Sequence, residues 1–105
     1  LFAPGGEENL RIIRGAVSSN GSPAQGSGFH SSFDPTATVY TITFDTPFSA
    51  PPVVVVTPEQ VGLLDICAMI DLASNTASSV RVDIFQRSDG RFDISDFHFM
   101  AIGPR

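Results

Sequence analysis

The stretch from Tyr40 to Val56, YTITFDTPFSAPPVVVV, constrains the fold more than any other part of the chain. Its first half alternates strictly, with Tyr40, Ile42 and Phe44 on one face and polar residues on the other. Period-two alternation of aromatic and β-branched residues predicts a strand with one buried face. Three prolines then interrupt the chain and exclude a helix. The run of four valines that follows has no polar face, which predicts a second strand covered on both sides.

The length and the turn content of the chain indicate one small β domain. A chain of 105 residues makes a single domain, and a 42% apolar share is enough for one core. Nine glycines and eight prolines favour short strands and many turns. No apolar run is long enough to span a bilayer, and the net charge of -5 disfavours nucleic acid or an anionic membrane as a partner. The chain begins at Leu1 rather than Met, so we expect a C-terminal fragment of a longer protein.

Apolar runs separated by turn residues predict six or seven strands. Asn20-Gly21 indicates a turn inside a loop over residues 19–28, and Asp89-Gly90 between two alternating runs predicts a hairpin. Gly15 inside the first strand indicates a bulge or the close approach of another backbone. We therefore predict an all-β fold, a six- to seven-stranded antiparallel β-sandwich over residues 10–105, preceded by a lead-in arm or linker over residues 1–9. The predicted strands are 10–18, 28–33, 38–44, 53–56, 65–72, 80–85 and 96–102.

Two of these segments are apolar on both faces. Segment 65–72 is predicted to be an interior strand, with a short helix as the alternative. The last strand places His98, Met100 and Ile102 opposite its aromatic face, and this second face is too apolar for a solvated surface. Either the amino-terminal arm covers it, or a neighbouring subunit packs on it.

The residues that could carry chemistry form no catalytic or metal-binding motif. His30 and His98 lack the spacing of metal ligands, and His98 in the middle of a strand is assigned a packing or interface role. Cys67 lies in an apolar strand, which favours a buried, inert thiol over a nucleophile. Aspartates are available for a carboxylate pair, but each falls at a turn or a strand end, where Asp is common for conformational reasons. We therefore predict a protein that is not an enzyme, has no cofactor and contains no set of metal-ligand residues, while the sequence leaves open whether calcium assists binding.

The polar loop from Ser88 to Asp93 has the composition of a ligand site. Asp89, Arg91 and Asp93 offer directional hydrogen bonds to sugar hydroxyls, and Phe92 can stack on the apolar side of a sugar ring. The alternative is a solvated hairpin tip, whose Asp–Arg pair contributes almost nothing to stability. Composition alone favours this alternative.

The chain resembles the H-type lectin domain at two places. Residues 40–56, with the order ITF…PF…PPVVV, are similar to the family's ITF-x-x-P-[YF]-x-x-PPVV segment. The strand at the end of residues 80–103 closes on Phe99-Met100-Ala101-Ile102-Gly103, similar to the family's x-x-W-I-A-x-G, with Phe99 at the usual Trp position. The front part, LRIIRGAVSSNGSPAQGSGF, resembles C-terminal domains of phage tail fibres and bacterial collagen-like proteins. The resemblance covers about nine-tenths of the chain, from Leu10 onward.

This resemblance implies a six-stranded antiparallel β-sandwich that assembles into homotrimers and binds galactose or N-acetylgalactosamine without catalysis. In such a trimer we expect His98, Met100 and Ile102 at the subunit interface. An upstream Asp of the family site corresponds to Asp34, spaced more loosely than in the family.

The rest of the family's galactosamine site is not preserved in this chain. A His and a Tyr of the family's last hairpin correspond to Ser88 and Asp93. Cys67 or Ala68 stands where snail lectins of the family have Arg, and the family disulfide is absent because the chain has one Cys.

Two functions of different classes follow. The first is a non-enzymatic glycan-binding or receptor-binding module that acts as a trimer, extracellular, at a phage tail-fibre tip or a bacterial surface, where avidity compensates for weak single sites. The second is a structural trimerisation or capping domain of a fibrous or collagen-like protein that binds no ligand. We favour the first, because the resemblance and the charged loop agree. Its predicted ligand-binding residues are Asp34, Ser88, Asp89, Arg91, Phe92 and Asp93.

Overall fold

The chain is β-structure throughout the part that the computed structural model describes, residues 9–59, 66–71, 75–86 and 94–105. Every strand pair in these ranges is antiparallel, and no helix occurs among them. The all-β, antiparallel part of the prediction is therefore confirmed. The eight strands are β1 (Leu10–Val17), β2 (Pro23–Gly26), β3 (Phe29–Asp34), β4 (Val39–Phe44), β5 (Val53–Glu59), β6 (Ile66–Ile70), β7 (Ser79–Gln86) and β8 (Asp96–Pro104).

The strands form two four-stranded sheets. The first sheet has the order β2-β1-β8-β5, and the second has the order β3-β4-β7-β6. Strand β2 lies inside the segment that was predicted to be a loop, and it raises the strand number above the predicted six or seven. All of its residues are exposed, so it has no apolar alternation by which sequence could reveal it. The predicted turn at Asn20-Gly21 joins it to β1, and Gly21 has a positive φ of 93°.

Aromatic side chains join the facing sides of the two sheets. Phe29 of β3 meets Phe99 of β8 edge to face, with 4.8 Å between ring centroids, and Tyr40 of β4 meets Phe97 in the same way at 5.1 Å. Edge-to-face pairs of this kind stabilise a core beyond the area that they bury. Among the described residues, the buried cluster consists of Val17, Phe29, Tyr40, Ile42, Phe44, Phe48, Val80, Val82, Ile84, Phe97, Phe99 and Ala101.

Gly15 leaves the space in which one of these pairs forms. A Cβ atom at this position would lie 2.4 Å from Cε1 of Phe29 and 2.9 Å from the carbonyl oxygen of Gln25. Gly15 is also the cross-strand partner of Phe99, so the Phe29 ring lies over the glycine and against Phe99. The predicted close approach at Gly15 is therefore confirmed, and its cause is an aromatic ring together with the neighbouring β2 backbone.

The valine run is an edge strand, which corrects the prediction that both of its sides are covered. In the described residues β5 pairs with β8 alone and stands last in its sheet. Val54 and Val56 pack against the core, whereas Val53 and Val55 are 72% and 60% exposed. Four consecutive β-branched residues therefore leave one apolar side open in the single chain.

The predicted interior strand over residues 65–72 is likewise an edge strand, since β6 stands last in the second sheet. Ile66, Ala68 and Ile70 pack against the core as predicted, and the helical alternative is wrong for the described residues. Met69 points outward and is 49% exposed, and Cys67 on the same side is half-buried rather than buried.

The hairpin predicted around Asp89-Gly90 does not join two paired strands. Strands β7 and β8, which flank it in sequence, belong to different sheets. The dipeptide itself lies outside the described residues. Alternation on both sides of a turn dipeptide identified the strands, but it carries no information on whether they share a sheet.

One hydroxyl group ties the two sheets together at the end of the core. The Tyr40 hydroxyl donates a hydrogen bond to the carbonyl oxygen of Ser19, at 2.7 Å, in the turn after β1. It also accepts one from the backbone N–H of Ser95, at 3.3 Å, just before β8. Tyr40 belongs to the second sheet, and both partners precede or follow strands of the first.

Replacing Tyr40 with Phe should therefore lower the free energy of unfolding by about 1–3 kcal/mol, because two hydrogen bonds of partly buried groups are lost at once. Urea unfolding monitored by circular dichroism measures the change. Thr43→Val, which removes an exposed hydroxyl from the outward side of the same strand, is the control and should change stability by less than about 0.5 kcal/mol. Equal stabilities of the Tyr40→Phe variant and the parent protein would show that this tie contributes nothing.

Candidate functional site: an apolar sheet face

The outer side of the first sheet is the surface that most resembles a binding site in the described part of the chain. Strand β8 runs through it between β1 and β5, so its outward side chains are flanked on both sides. Side chains in register across antiparallel strands lie on the same side and in contact distance. Three cross-strand rows follow one another along this surface, Ile12–Ile102–Val53, Arg14–Met100–Val55 and Ala16–His98–Thr57. We call these nine residues the apolar face.

The first two rows expose large hydrophobic side chains. Ile12 is 44% exposed and Met100 43%, in addition to the two outward valines of β5. Of the six large hydrophobic residues that are exposed in the described ranges, four lie on this one face. Single exposed apolar residues are ordinary, but a contiguous group of them marks an interaction surface.

The outer side of the second sheet provides an internal comparison. Its outward residues are polar over most of β3, β4 and β7, as the positions of Ser32, Thr41, Thr43, Arg81 and Asp83 show. This is the composition expected for the solvated side of an antiparallel sheet. The fold itself therefore does not require an apolar outer side on a sheet, because the outer side of the second sheet is polar over most of β3, β4 and β7.

The apolar face becomes polar at the end that His98 occupies. Nε2 of His98 lies 2.5 Å from Oε2 of Glu59, and both side chains are more than half exposed. Asp96 lies beside Glu59 in the next cross-strand position, where its Oδ1 accepts a hydrogen bond from the backbone N–H of Ser19 at 2.7 Å. Hydrophobic side chains thus fill one end of the surface, and a histidine with two carboxylates forms the other.

The hollows on this face are small. One hollow of about 280 Å³ is lined by Val55, Thr57, His98, Phe99 and Met100. Sites for small organic ligands usually enclose roughly 300–1,000 Å³ and surround most of the ligand. A broad, shallow and apolar surface of this kind suits another protein surface better than a small molecule.

The three residues predicted to form the interface lie together on this face. His98, Met100 and Ile102 are successive outward residues of β8 and occupy the middle of the three rows. The sequence interpretation missed Ile12, Val53 and Val55 as parts of the same surface. The outward residues of β5 run Val53, Val55, Thr57, Glu59, and this change from apolar to polar was the signal available in the sequence.

Asp34 is the predicted ligand-binding residue that the structure describes, and it does not lie on that surface. Asp34 ends β3 in the second sheet, where its Oδ1 accepts hydrogen bonds from the backbone N–H groups of Thr36 at 2.9 Å and Ala37 at 3.4 Å. This is the local turn-forming use of Asp. The other predicted contacts lie outside the described residues and are Ser88, Asp89, Arg91, Phe92 and Asp93.

Among the described residues, carboxylates also lie close together on the outer side of the second sheet. Asp71 Oδ2 lies 4.0 Å from Nη1 of Arg81. Burial raises the pKa of Asp83, the nearby charge of Asp71 raises it further, and Arg81 opposes both. Over residues 9–59, 66–71, 75–86 and 94–105, no group of three or more His, Cys, Asp or Glu is placed to hold a metal ion.

No protein-family model, no curated protein and no solved structure matches this chain. In the part of the chain that the structure describes, no helix is long and apolar enough to cross a membrane.

Replacing Asp83 with Asn should raise the free energy of unfolding slightly at neutral pH. The folded protein raises the pKa of Asp83, so the ionised carboxylate is less favourable there than in the unfolded chain. This penalty is present above the folded pKa and is lost as the pH falls below the ordinary Asp value of about 3.9. Solvent screening of this half-buried group limits the gain to about 0.5 kcal/mol or less.

Thermal unfolding of the two proteins at about pH 7 and about pH 3 tests this expectation, because Asp is protonated in both states at the lower pH. Thr43→Val, at an exposed and uncharged position on the outer side of the same sheet, serves as the control and should change stability equally at both pH values. A gain of the same size at both pH values would contradict an electrostatic cause.

Proposed function

We propose that this chain is a non-enzymatic glycan-binding or receptor-binding module that acts as a homotrimer outside the cell, on a virion or a cell surface. The observation that carries the proposal is the apolar face. It is exposed in the single chain, it is contiguous, and it holds four of the six exposed large hydrophobic residues in the described ranges.

Self-association explains why the chain exposes this surface. Small domains bury a limited share of their apolar area within one chain and often hide the remainder between subunits. The predicted interface residues His98, Met100 and Ile102 form the central line of the face, and its flanks on β1 and β5 supply more apolar contact area. A three-fold ring is the closed assembly that the resemblance to H-type lectins implies.

Glycan binding is supported by the sequence of the loop and by the same resemblance. Residues 88–93 combine carboxylates, a guanidinium group and an aromatic ring, which are the groups that recognise sugar hydroxyls and the apolar side of a sugar ring. This loop directly precedes the strand that carries the predicted interface. A trimer would therefore present three copies of the loop, and simultaneous binding would convert weak sites into useful avidity.

A structural cap is the second candidate, and the apolar face favours it as well. A domain that only fixes the register of a fibrous or collagen-like stalk needs a self-association surface and no ligand cleft. The small volumes of the hollows on the face agree with that role. The two functions share the trimer and differ in whether a ligand binds.

Replacing Met100 with Glu should dissociate the assembly, because it places a charge in the middle of a surface that association would desolvate. Light scattering should then give the mass of a single chain. Met69→Glu is the matched control, since Met69 is similarly exposed, at 49% against 43%, but lies on the second sheet. Loss of the oligomer in the control, or its persistence in the Met100→Glu variant, would place the interface elsewhere.

Binding should be tested with the labelled oligomer on a glycan array, with and without calcium. We expect hits among related glycans, and we expect Arg91→Ala and Asp93→Ala to weaken them at least about tenfold through lost charge-assisted hydrogen bonds. Arg81→Ala removes a similar charge from the second sheet and should leave binding unchanged. A blank array from a folded trimer would favour the structural cap, and intact binding by both loop variants would move the site out of the loop.

A further inference from the structure

The polar end of the apolar face contains a histidine–carboxylate pair in a position where its charge affects association. We propose that the pair formed by His98 and Glu59 makes the self-association of this chain pH-dependent, with assembly stronger at mildly acidic than at mildly alkaline pH. This inference rests on the proposed function, because it needs a second copy of the chain on the apolar face.

A second copy is the occupant that the charges of this surface favour. Arg14 lies in the middle row, with Met100, on the apolar side of His98. Among the nine residues of the face together with Glu59 and Asp96, it is the single cation when His98 is neutral. Glu59 and Asp96 place two carboxylates at the other end. A surface that carries both signs at separate places is complementary to another copy of itself, and opposite charges across an interface select the partner.

The neighbours of His98 on β5, β8 and β1 include both charged and uncharged side chains. Strand β5 contributes Glu59, at 2.5 Å, and the uncharged Thr57 directly opposite. Strand β8 itself contributes Asp96, two residues before His98 on the same side. Strand β1 contributes Ala16 directly opposite and Arg14 in the next row.

Strand β2 adds one uncharged side chain, Gln25, which pairs with Ala16. Histidine is the side chain whose charge ordinarily changes between about pH 5 and 8, and His98 is the histidine on this surface.

The sign of the effect follows from these charges. With His98 neutral, the two carboxylates outnumber Arg14, and association must desolvate an uncompensated negative charge. With His98 protonated, the surface has no formal net charge, and the carboxylate of Glu59 is buried beside a cation. Desolvating a neutral ion pair costs less than desolvating a lone charge. Proton uptake therefore accompanies assembly, and by linkage a lower pH strengthens it until the carboxylates themselves are protonated.

Sedimentation equilibrium of the intact chain at about pH 8 and about pH 6 tests the proposal, since His is the side chain that ordinarily titrates in this window. We expect the midpoint concentration for assembly to be roughly threefold to tenfold lower at the acidic pH, a change well within the range of a single ion pair. His98→Gln should remove this difference, and far-ultraviolet circular dichroism confirms that the variant is folded.

The other histidine provides a matched control within the same chain. Nδ1 of His30 lies 2.5 Å from Oδ1 of Asp45, also at an exposed position, but this pair belongs to the second sheet and lies away from the apolar face. His30→Gln changes the overall charge by the same amount as His98→Gln and should preserve the pH dependence. If it removes the dependence instead, the effect comes from net charge, and the proposal is wrong.

A second variant tests the direction of the effect. In Glu59→Gln the protonated His98 has no adjacent carboxylate partner, so assembly should weaken, not strengthen, at the acidic pH. A chain that is monomeric at both pH values at high concentration would overturn the proposed trimer. A trimer with the same midpoint concentration at both pH values would overturn the pH dependence alone, and a dimer with the expected dependence would support the switch and overturn the trimer.

Discussion

The edge-to-face packing of Phe97 and Phe99 against Tyr40 and Phe29 is the interaction on which the rest of the structure depends. It joins β8 of the first sheet to β4 and β3 of the second. Its geometry requires Gly15, because any larger residue on β1 would occupy the place of the Phe29 ring. The Tyr40 hydroxyl then hydrogen-bonds to the backbone just after β1 and just before β8, so one side chain supplies both apolar contact and polar contact with the first sheet.

The aromatic packing also determines what the protein shows to its surroundings. Successive side chains of a strand point to opposite sides, and a slip of one residue would exchange them all. Because Phe97, Phe99 and Ala101 are held in the core, the alternate residues of β8 must point outward. The exposure of Met100 is therefore a consequence of the core packing.

Alternation in the sequence was sufficient to find most strands and their inward sides. Tyr40, Ile42 and Phe44 are buried as predicted, and so are the aromatic residues of the last strand. The position of β5 at the edge of its sheet was not predictable from its valine run. A strand that is apolar on both sides can be covered by its own chain or by another molecule, and the sequence does not distinguish the two. Strand β2 was missed for the opposite reason, since its exposed residues carry no pattern and its place depends on pairing with β1. For the candidate site, the sequence identified the outward residues of β8. It did not identify the flanking residues on β1 and β5, because only the strand register places them beside β8.

The first sheet offers two surfaces for association, the backbone edge of β5 and the outer side of the sheet, and the sequence of β5 disfavours the first. An exposed edge with outward valines invites strand-to-strand pairing, which has no natural end and leads to aggregates. Pro58, near the end of this strand, has no backbone N–H to donate, and Glu59 beside it carries a charge. Both features disfavour pairing of the edge with another strand. The side chains of Val53 and Val55 remain available on the sheet surface. The strand therefore opposes open-ended growth along its edge while keeping its outer side apolar, and this combination favours a closed oligomer formed face to face.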